Sequence, residues 1–144
     1  IIEELHPELQ FTALSPGNPH VVAAVESIDM ELLESLGERV KGIKSLFPNG
    51  VNISLYKRLS SDEIFVATYE RGAGITLSCG TAMTACSTAA CLLGLCRTGQ
   101  PIRVRNSLSR RVRIWVSAIV AVRYSARRAL WRVFLRQNSR VMLR

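Results

Sequence analysis

The sequence predicts a mixed α/β (α+β) domain, because strand-like and helix-like segments alternate along it. It has 144 residues, of which 48% are apolar, enough to build a hydrophobic core. This length suits one domain, or half of a larger two-domain protein. No apolar run is long enough to span a membrane, and the acidic start lacks the basic and apolar regions of a secretory signal.

In the first half, turn residues separate four strand-like segments and one helix. Two short strands are predicted on either side of the turn SPGNPH, at residues 11–14 and 21–25. Two longer strands are predicted after the turn FPNG, at residues 51–58 and 63–69. Residues 29–41 predict an amphipathic helix, with acids in its first turn and bases in its last. Its apolar positions recur at helical spacing: Met30, Leu33, Leu36 and Val40.

In the second half, the glycine loop Gly72–Gly74 precedes a helix that we expect from Gly80 to about Leu95. Its Ala, Thr, Ser and Cys residues suit a helix packed closely on all sides. Residues 102–105 and 112–116 predict two further strands. Residues 1–117 therefore form the predicted domain, and residues 118–144 are an Arg-rich tail of uncertain structure. The tail could form a basic amphipathic helix with three apolar side chains on one face: Leu130, Val133 and Phe134.

Charge is distributed very unevenly along the chain. Residues 1–70 hold 5 Lys or Arg and all 11 acids, a net charge of −6, whereas residues 71–144 hold 14 Arg and no acid, a net charge of +14. Such a C-terminal region suggests either a nucleic-acid-binding arm or an abnormal ending, for which a coding frameshift is one hypothesis.

The four cysteines indicate a reducing compartment and no metal site. They lie at 79, 86, 91 and 96, without the CxxC spacing of zinc or thioredoxin-like sites. Crowded into eighteen residues, they make a poor disulfide framework, so a cytoplasmic location is the simpler expectation.

Cys79 is the candidate reactive residue, because it would lie at the N-terminus of the second helix. Unpaired N–H groups and the helix dipole stabilise a thiolate there, or a substrate carboxylate. Glu70 and Arg71 end a strand beside a flexible glycine loop, where Arg71 suits a carboxylate and Glu70 could orient an ammonium group or assist the thiol. The alternatives are that Cys79 is an ordinary buried residue and Glu70-Arg71 a solvated turn. For Cys86, Cys91 and Cys96, within or ending the helix, a structural role is favoured.

Three motifs in order resemble the diaminopimelate epimerase family. ERGAGITLSCGTA, residues 70–82, is similar to the family's ERGAGxTxxCGTGA signature around its second catalytic cysteine. GNPH at residues 17–20 resembles the family's GNPH motif, and FPNGVNISL at residues 47–55 resembles FPNGxNVxF. The similarity is good over residues 14–105 and faint to residue 117.

The resemblance implies the C-terminal half of an epimerase with two pseudo-symmetric domains, each a mixed sheet wrapped around a central helix. That family interconverts LL- and meso-diaminopimelate, precursors of lysine and peptidoglycan, without pyridoxal phosphate or any other cofactor. One cysteine removes the α-proton and an opposing cysteine protonates the other face. The opposing cysteine is absent from this chain, so the implied partners are the amino-acid substrate, an N-terminal epimerase half and, in a dimer, a second copy. Neither a membrane nor a metal is implied.

Residue by residue, the resemblance makes Cys79 one acid/base, with Gly80 and Thr81 binding the α-carboxylate through the helix start. Asn18, Asn52, Glu70 and Arg71 would hold the amino and carboxylate groups of the substrate. His20 would lie near the opposing cysteine and assist it. Taken singly, Asn18 and Asn52 could instead be turn residues and His20 a structural histidine.

Two positions depart from the family pattern. Ile75 stands where the family often has Glu, and Ala82 where it has Gly, so a methyl group could crowd the carboxylate site.

Three rival functions remain. Proline-racemase-like and phenazine-biosynthesis-like enzymes would share a Cys or carboxylate pair, but not the GNPH and ERGAG combination. The rival from another class is a non-catalytic binding module whose basic tail grips nucleic acid or an anionic surface.

Overall fold

The computed structural model describes residues 2–108, 111–116 and 141–143, and these form one mixed sheet with two helices. This confirms the expected mixed fold class. The helices are α1 (Met30–Val40) and α2 (Gly80–Leu92). The strands are β1 (Phe11–Leu14), β2 (His20–Ala24), β3 (Asn52–Ser60), β4 (Glu63–Glu70), β5 (Gly74–Thr76), β6 (Pro101–Arg105), β7 (Arg111–Trp115) and β8 (Val141–Leu143).

Two parallel strand pairs, each connected through a helix, organise the sheet. β2 and β3 are parallel and joined by α1, while β4 and β6 are parallel and joined through β5 and α2. The strand order is β1-β2-β3-β4-β6-β7-β8, with β5 also paired to β4. The remaining pairs are antiparallel. Because a parallel pair needs a crossover, each helix is placed over the sheet that its own strands build.

Alternation along the strands separates two cores on the two faces of the sheet. Even-numbered residues such as Val22, Tyr56 and Val66 pack with α2, whereas odd-numbered residues such as Ile53 and Leu55 pack with α1. Beyond β4 the buried apolar residues described, such as Ile102, Val104 and Ile114, belong to the α2 face. On the opposite face of β6 and β7, four odd-numbered side chains are exposed: Arg103, Arg105, Arg113 and Trp115.

Helix α1 begins where the capping pattern predicts. Asp29 is its N-cap, and the carboxylate oxygen Oδ1 accepts hydrogen bonds from the N–H groups of Glu31 and Leu32 at 2.9 and 3.1 Å. The buried face consists of Leu33, Leu36, Gly37 and Val40. The predicted helix over residues 29–41 is therefore confirmed, with its outermost residues acting as caps.

Helix α2 packs against β2, β3, β4, β6 and β7, and residues 82–91 are all buried. Two of its hydroxyls are satisfied within the helix, since Thr84 and Thr88 donate to the carbonyl oxygens of Gly80 and Thr84 at 3.1 and 2.9 Å. The predicted end at Leu95 is wrong. The helix stops at Leu92 because Gly94 adopts φ +70°, and the N–H of Leu95 then returns to the carbonyl of Ala90.

Strand β5 was not predicted from the sequence. It is three residues long, too short for an alternation pattern, and pairs with the end of β4 across the glycine loop. The expected helix in the tail lies outside the described residues. Within the described part of the chain, no helix is long and apolar enough to cross a membrane.

Candidate functional site

One edge of the sheet collects almost all of the residues that the motifs singled out. His20 and Asn52 are the first residues of the parallel strands β2 and β3 and face each other in register. Glu70 ends β4, which runs antiparallel to β3, so it reaches the same edge. The start of α2 lies against this edge, because Thr81 contacts His20 across 61 residues of sequence. The three distant motifs are thus brought together.

His20 is the buried hub of this edge. Its Nε2 lies 2.9 Å from Asn18 Oδ1, 3.0 Å from Thr81 Oγ1 and 3.5 Å from Asn52 Nδ2. The residue is 1% exposed. Burial lowers the pKa of its imidazole to about 4, and the negative charge of Glu70 only partly opposes that effect. His20 is therefore a neutral imidazole near pH 7.

Asn52 and Arg71 join the second and third motifs. Asn52 Oδ1 accepts the backbone N–H of Arg71 at 2.8 Å, and the Arg71 guanidinium donates to the carbonyl of Asn49. Asn52 lies in β3, so the alternative that it is a turn residue is wrong, whereas Asn18 does lie in a bend. A glycine is required at position 50, where the Arg71 side chain passes close to the backbone. It has φ +75°, and a Cβ there would lie 2.6 Å from the Arg71 side chain.

Glu70 is held by the hairpin that β5 forms with β4. Its Oε1 accepts a hydrogen bond from the Thr76 hydroxyl at 2.7 Å, and Glu70 pairs with Gly74 across the turn. The carboxylate is half-buried, while Arg71 next to it is exposed. The glycine loop therefore presents one anchored carboxylate and one exposed guanidinium at the same strand end.

Cys79 is the N-cap of α2, as the sequence predicts, but its side chain makes no cap hydrogen bond. Asp29 does cap α1, so the start of α2 differs in leaving its N–H groups without a side-chain acceptor. Cys79 is half-exposed rather than buried, and its Sγ lies 3.4 Å from Thr81 Oγ1. Gly80 is exposed, with no atom within 4 Å of where its Cβ would be. An anion could therefore approach this backbone closely.

The two residues that differ from the family pattern, Ala82 and Ile75, lie in α2 and in β5. Ala82 is fully buried, so its methyl group offers no surface to a molecule bound at the exposed side of Gly80. The crowding of the carboxylate site by Ala82 stays a prediction. Ile75 lies in β5 with its side chain 37% exposed, close to the hairpin that holds Glu70.

The other three cysteines are buried and free, as the structural interpretation expects. Burial strongly raises the pKa of the Cys86 thiol, and it raises the pKa of Cys91 to about 11. Both are therefore neutral thiols near pH 7.

Two side chains beside Cys79, Ser78 and Asn106, were not predicted from the sequence to belong to the site. Asn106 is 4% exposed and lies just after β6. Its Nδ2 donates to Ser78 Oγ at 2.9 Å, and its Oδ1 accepts the N–H of Leu108 at 3.0 Å. Asn106 thus ties the residue before Cys79 to the neighbouring strand. A single Asn 28 residues from Ser78 gives no local pattern that would reveal this contact.

A mixed sheet packed on a buried helix, with a half-exposed thiol at the helix start, defines the class of the protein as an α/β domain with a candidate site at that helix start. The protein-family model described as diaminopimelate epimerase matches residues 12–117. The chain therefore belongs to the diaminopimelate epimerase family.

Individual relatives carry the same name. The diaminopimelate epimerase of Clostridium acetobutylicum is 44% identical over 108 residues, which are 75% of this chain and 31% of that protein. That of Listeria monocytogenes is 42% identical over 108 residues, 74% of this chain and 33% of the relative. That of Enterococcus faecalis is 41% identical over 93 residues, which are 60% of this chain and 28% of the relative. The chain spans about a third of the length of these curated relatives.

Proposed function

We propose that this chain is one half of a diaminopimelate epimerase and supplies Cys79 as one of two acid/base groups. The observation that carries the proposal is the half-exposed Cys79 thiol at the uncapped start of α2, beside the edge where the three family motifs meet. Residues 1–117 form the epimerase-like domain in this proposal, and residues 118–144 are an Arg-rich tail from which β8 pairs with β7. Its four free thiols suit the reducing cytoplasm.

The proposed reaction inverts one α-carbon by two proton transfers. The Cys79 thiolate takes the α-proton from one face, and the thiol of the opposing cysteine gives its proton to the other face. In the reverse direction the two groups exchange roles. Inversion needs an acid and a base on opposite sides of the carbon, and this chain holds only one candidate. The second would come from an N-terminal epimerase half, so we expect the chain alone to bind substrate weakly and not to epimerise it.

The start of α2 is suited to stabilise the charge that develops as the α-proton leaves. Backbone N–H groups of Gly80 and Thr81 would donate to the α-carboxylate, which takes up negative charge when the carbanion forms. The open space beside Gly80 supports this, because the carboxylate can approach the backbone without a side chain intervening. A preorganised helix end requires no reorganisation at the moment of reaction.

The polar side chains of the same edge are placed to hold the amino and carboxylate groups of the substrate. Arg71 is exposed and suits a carboxylate, while Glu70, Asn18 and Asn52 offer oxygens that accept from an ammonium group. His20 would assist the opposing cysteine, and its lowered pKa keeps the imidazole neutral near pH 7.

The test is to co-express the chain with the N-terminal half of the Clostridium acetobutylicum enzyme and measure deuterium incorporation at the α-carbon of diaminopimelate in deuterated water. We expect exchange from the purified two-chain complex. Cys79→Ala should remove it, since the group that moves the proton is gone. Cys91→Ala is the matched control, because it makes the same change at a buried thiol of the same helix, and should retain exchange. A folded complex that shows no exchange would contradict the proposal.

A further inference from the structure

Thr81 stands between the two titratable side chains Cys79 and His20. Its Oγ1 lies 3.4 Å from Cys79 Sγ and 3.0 Å from His20 Nε2. We propose that the Thr81 side chain is a positioning residue, whose hydroxyl is oriented by the buried His20 and donates a hydrogen bond to the Cys79 thiolate. This role is separate from that of the Thr81 backbone N–H. Its meaning for catalysis rests on the proposed function, but the hydrogen-bond chain itself does not.

The neighbours of His20 determine which ring nitrogen carries the proton. Asn52 Oδ1 is occupied by the N–H of Arg71, so the Asn52 amide nitrogen faces His20 at 3.5 Å, the outer limit of a hydrogen bond. Asn18 Oδ1 lies much closer, at 2.9 Å, and a carbonyl oxygen only accepts. The shorter contact decides the tautomer. Neutral His20 therefore carries its proton on Nε2 and donates toward Asn18.

The same proton orients the hydroxyl of Thr81. Nε2–H has acceptors at 2.9 and 3.0 Å, Asn18 Oδ1 and Thr81 Oγ1, and is shared between them. With its oxygen accepting from His20, Thr81 directs its own proton to its other neighbour, Cys79 Sγ. An O–H donor stabilises a thiolate more than a neutral thiol, because the hydrogen bond is charge-assisted. Cys79 Sγ makes no cap hydrogen bond that would compete.

The test is the rate at which iodoacetamide alkylates Cys79 in the intact 144-residue chain, located by peptide mass spectrometry. Thr81→Val removes the hydroxyl at nearly constant volume, and we expect the rate at pH 7 to fall about three- to tenfold. At a pH high enough to ionise the cysteine in both proteins, the alkylation rates of Thr81→Val and of the parent chain should converge. Thr81→Ser retains the hydroxyl and should alkylate like the parent protein.

Thr88→Val is the matched control, because it removes a hydroxyl from the same helix. That hydroxyl donates to the carbonyl of Thr84 and does not contact the site, so the Cys79 rate should not change. Circular dichroism checks that each variant is folded. The proposal is overturned if Thr81→Val alkylates at the parent rate at pH 7, if it is slower by the same factor at every pH, or if Thr81→Ser is as slow as Thr81→Val.

His20→Gln tests the other end of the chain of hydrogen bonds. Because both substitutions interrupt one chain, the rate losses of His20→Gln and Thr81→Val should not multiply in the double variant. Multiplying losses would show that His20 and Thr81 act independently. Alkylation needs neither substrate nor the second epimerase half, so failure here leaves the deuterium-exchange test intact, and the reverse also holds.

Discussion

At the residue scale, His20 shows how burial sets the charge of a side chain. Its position at the start of β2 places the ring under the start of α2, where only 1% of the residue is exposed. There the cost of desolvating an imidazolium outweighs the attraction of Glu70, and the pKa falls from 6.5 to about 4. A neutral imidazole can keep the Nε2–H arrangement toward Asn18 and Thr81 at physiological pH.

We predict that this histidine makes the folded state less stable in mild acid. The unfolded chain binds a proton near pH 6.5, and the folded chain binds it only near pH 4, so between these values the unfolded state holds more protons. Stability therefore falls as the pH drops through this window. We expect the free energy of unfolding to be lower by about 2 kcal/mol at pH 5 than at pH 7, from linkage with these pKa values.

Urea denaturation of the chain at the two pH values measures this difference. His20→Gln is the control, because it removes the titrating group, and most of the difference between pH 5 and pH 7 should disappear. If His20→Gln shows the same acid-induced loss, groups other than His20 are responsible.

Single residues also show what a linear sequence reveals. Cys79, Glu70 and Arg71 are recognisable because the loop, the strand end and the helix start that place them are adjacent in sequence. The contact between Thr81 and His20 spans 61 positions, and that between Asn106 and Ser78 spans 28. Periodicity carries no information about such contacts, so only the folded chain shows that Thr81 contacts both Cys79 and His20.

At the element scale, the packing of α1 on the sheet depends on one glycine. Gly37 lies on the buried face of α1, directly over the ring of Tyr69 in β4. A Cβ at position 37 would lie 2.2 Å from Tyr69 Cγ, which no real contact allows. The absence of a side chain at Gly37 lets the helix approach the sheet closely.

We predict that Gly37→Ala destabilises the fold although alanine favours helices. The gain in helix propensity is at most about 1 kcal/mol, whereas overpacking typically costs about 1–3 kcal/mol and is severe at this distance. We expect a net loss of about 2 kcal/mol, measured by urea denaturation. Gly42→Ala is the control, because its Cβ would meet only the carbonyl of Arg39 at 3.4 Å and its φ is not positive. Equal stability of the two variants would show that α1 moves away from Tyr69 without cost.

Elements were predictable where their pattern is local and long. Residues 29–41 contain a cap, a periodic face and a basic end, and the helix agrees closely. The predicted strands also agree with the structure to within two residues at each end, since Gly, Pro and Asn turns bound several of them. The end of α2 was misplaced because apolar residues continue past Gly94, whose positive φ ends the helix. β5 depends on its pairing with β4, a tertiary interaction that three residues cannot encode.

At the scale of the whole molecule, charge separates the domain from the tail. Residues 1–117 carry 12 Lys or Arg and 11 acids, a net charge of +1, whereas residues 118–144 carry seven Arg and no acid. The rival function, a binding module for nucleic acid, therefore depends on the tail. The epimerase proposal depends on residues 18–81. The two can be tested independently on one chain.

Replacing the tail arginines by glutamine tests the rival function without shortening the chain. Cutting after Ser117 would also remove β8, which pairs with β7, so a truncated chain would lose both charge and a strand. The substitutions are Arg123, Arg127, Arg128, Arg132, Arg136, Arg140 and Arg144, each to Gln. They lower the net charge from +8 to +1 and leave every motif residue unchanged.

We expect the parent chain to be retained on a double-stranded DNA column at about 50 mM salt and released by about 200 mM, because contacts to phosphates release counterions. The substituted chain should flow through, and its complex with the N-terminal half should still exchange deuterium into diaminopimelate. Together, these two results would show that the tail binds DNA non-specifically through its charge. They would also show that this binding is separate from catalysis. Retention of the substituted chain would contradict this, because the cationic surface responsible would then belong to the domain, where Arg103, Arg105 and Arg113 are exposed on β6 and β7.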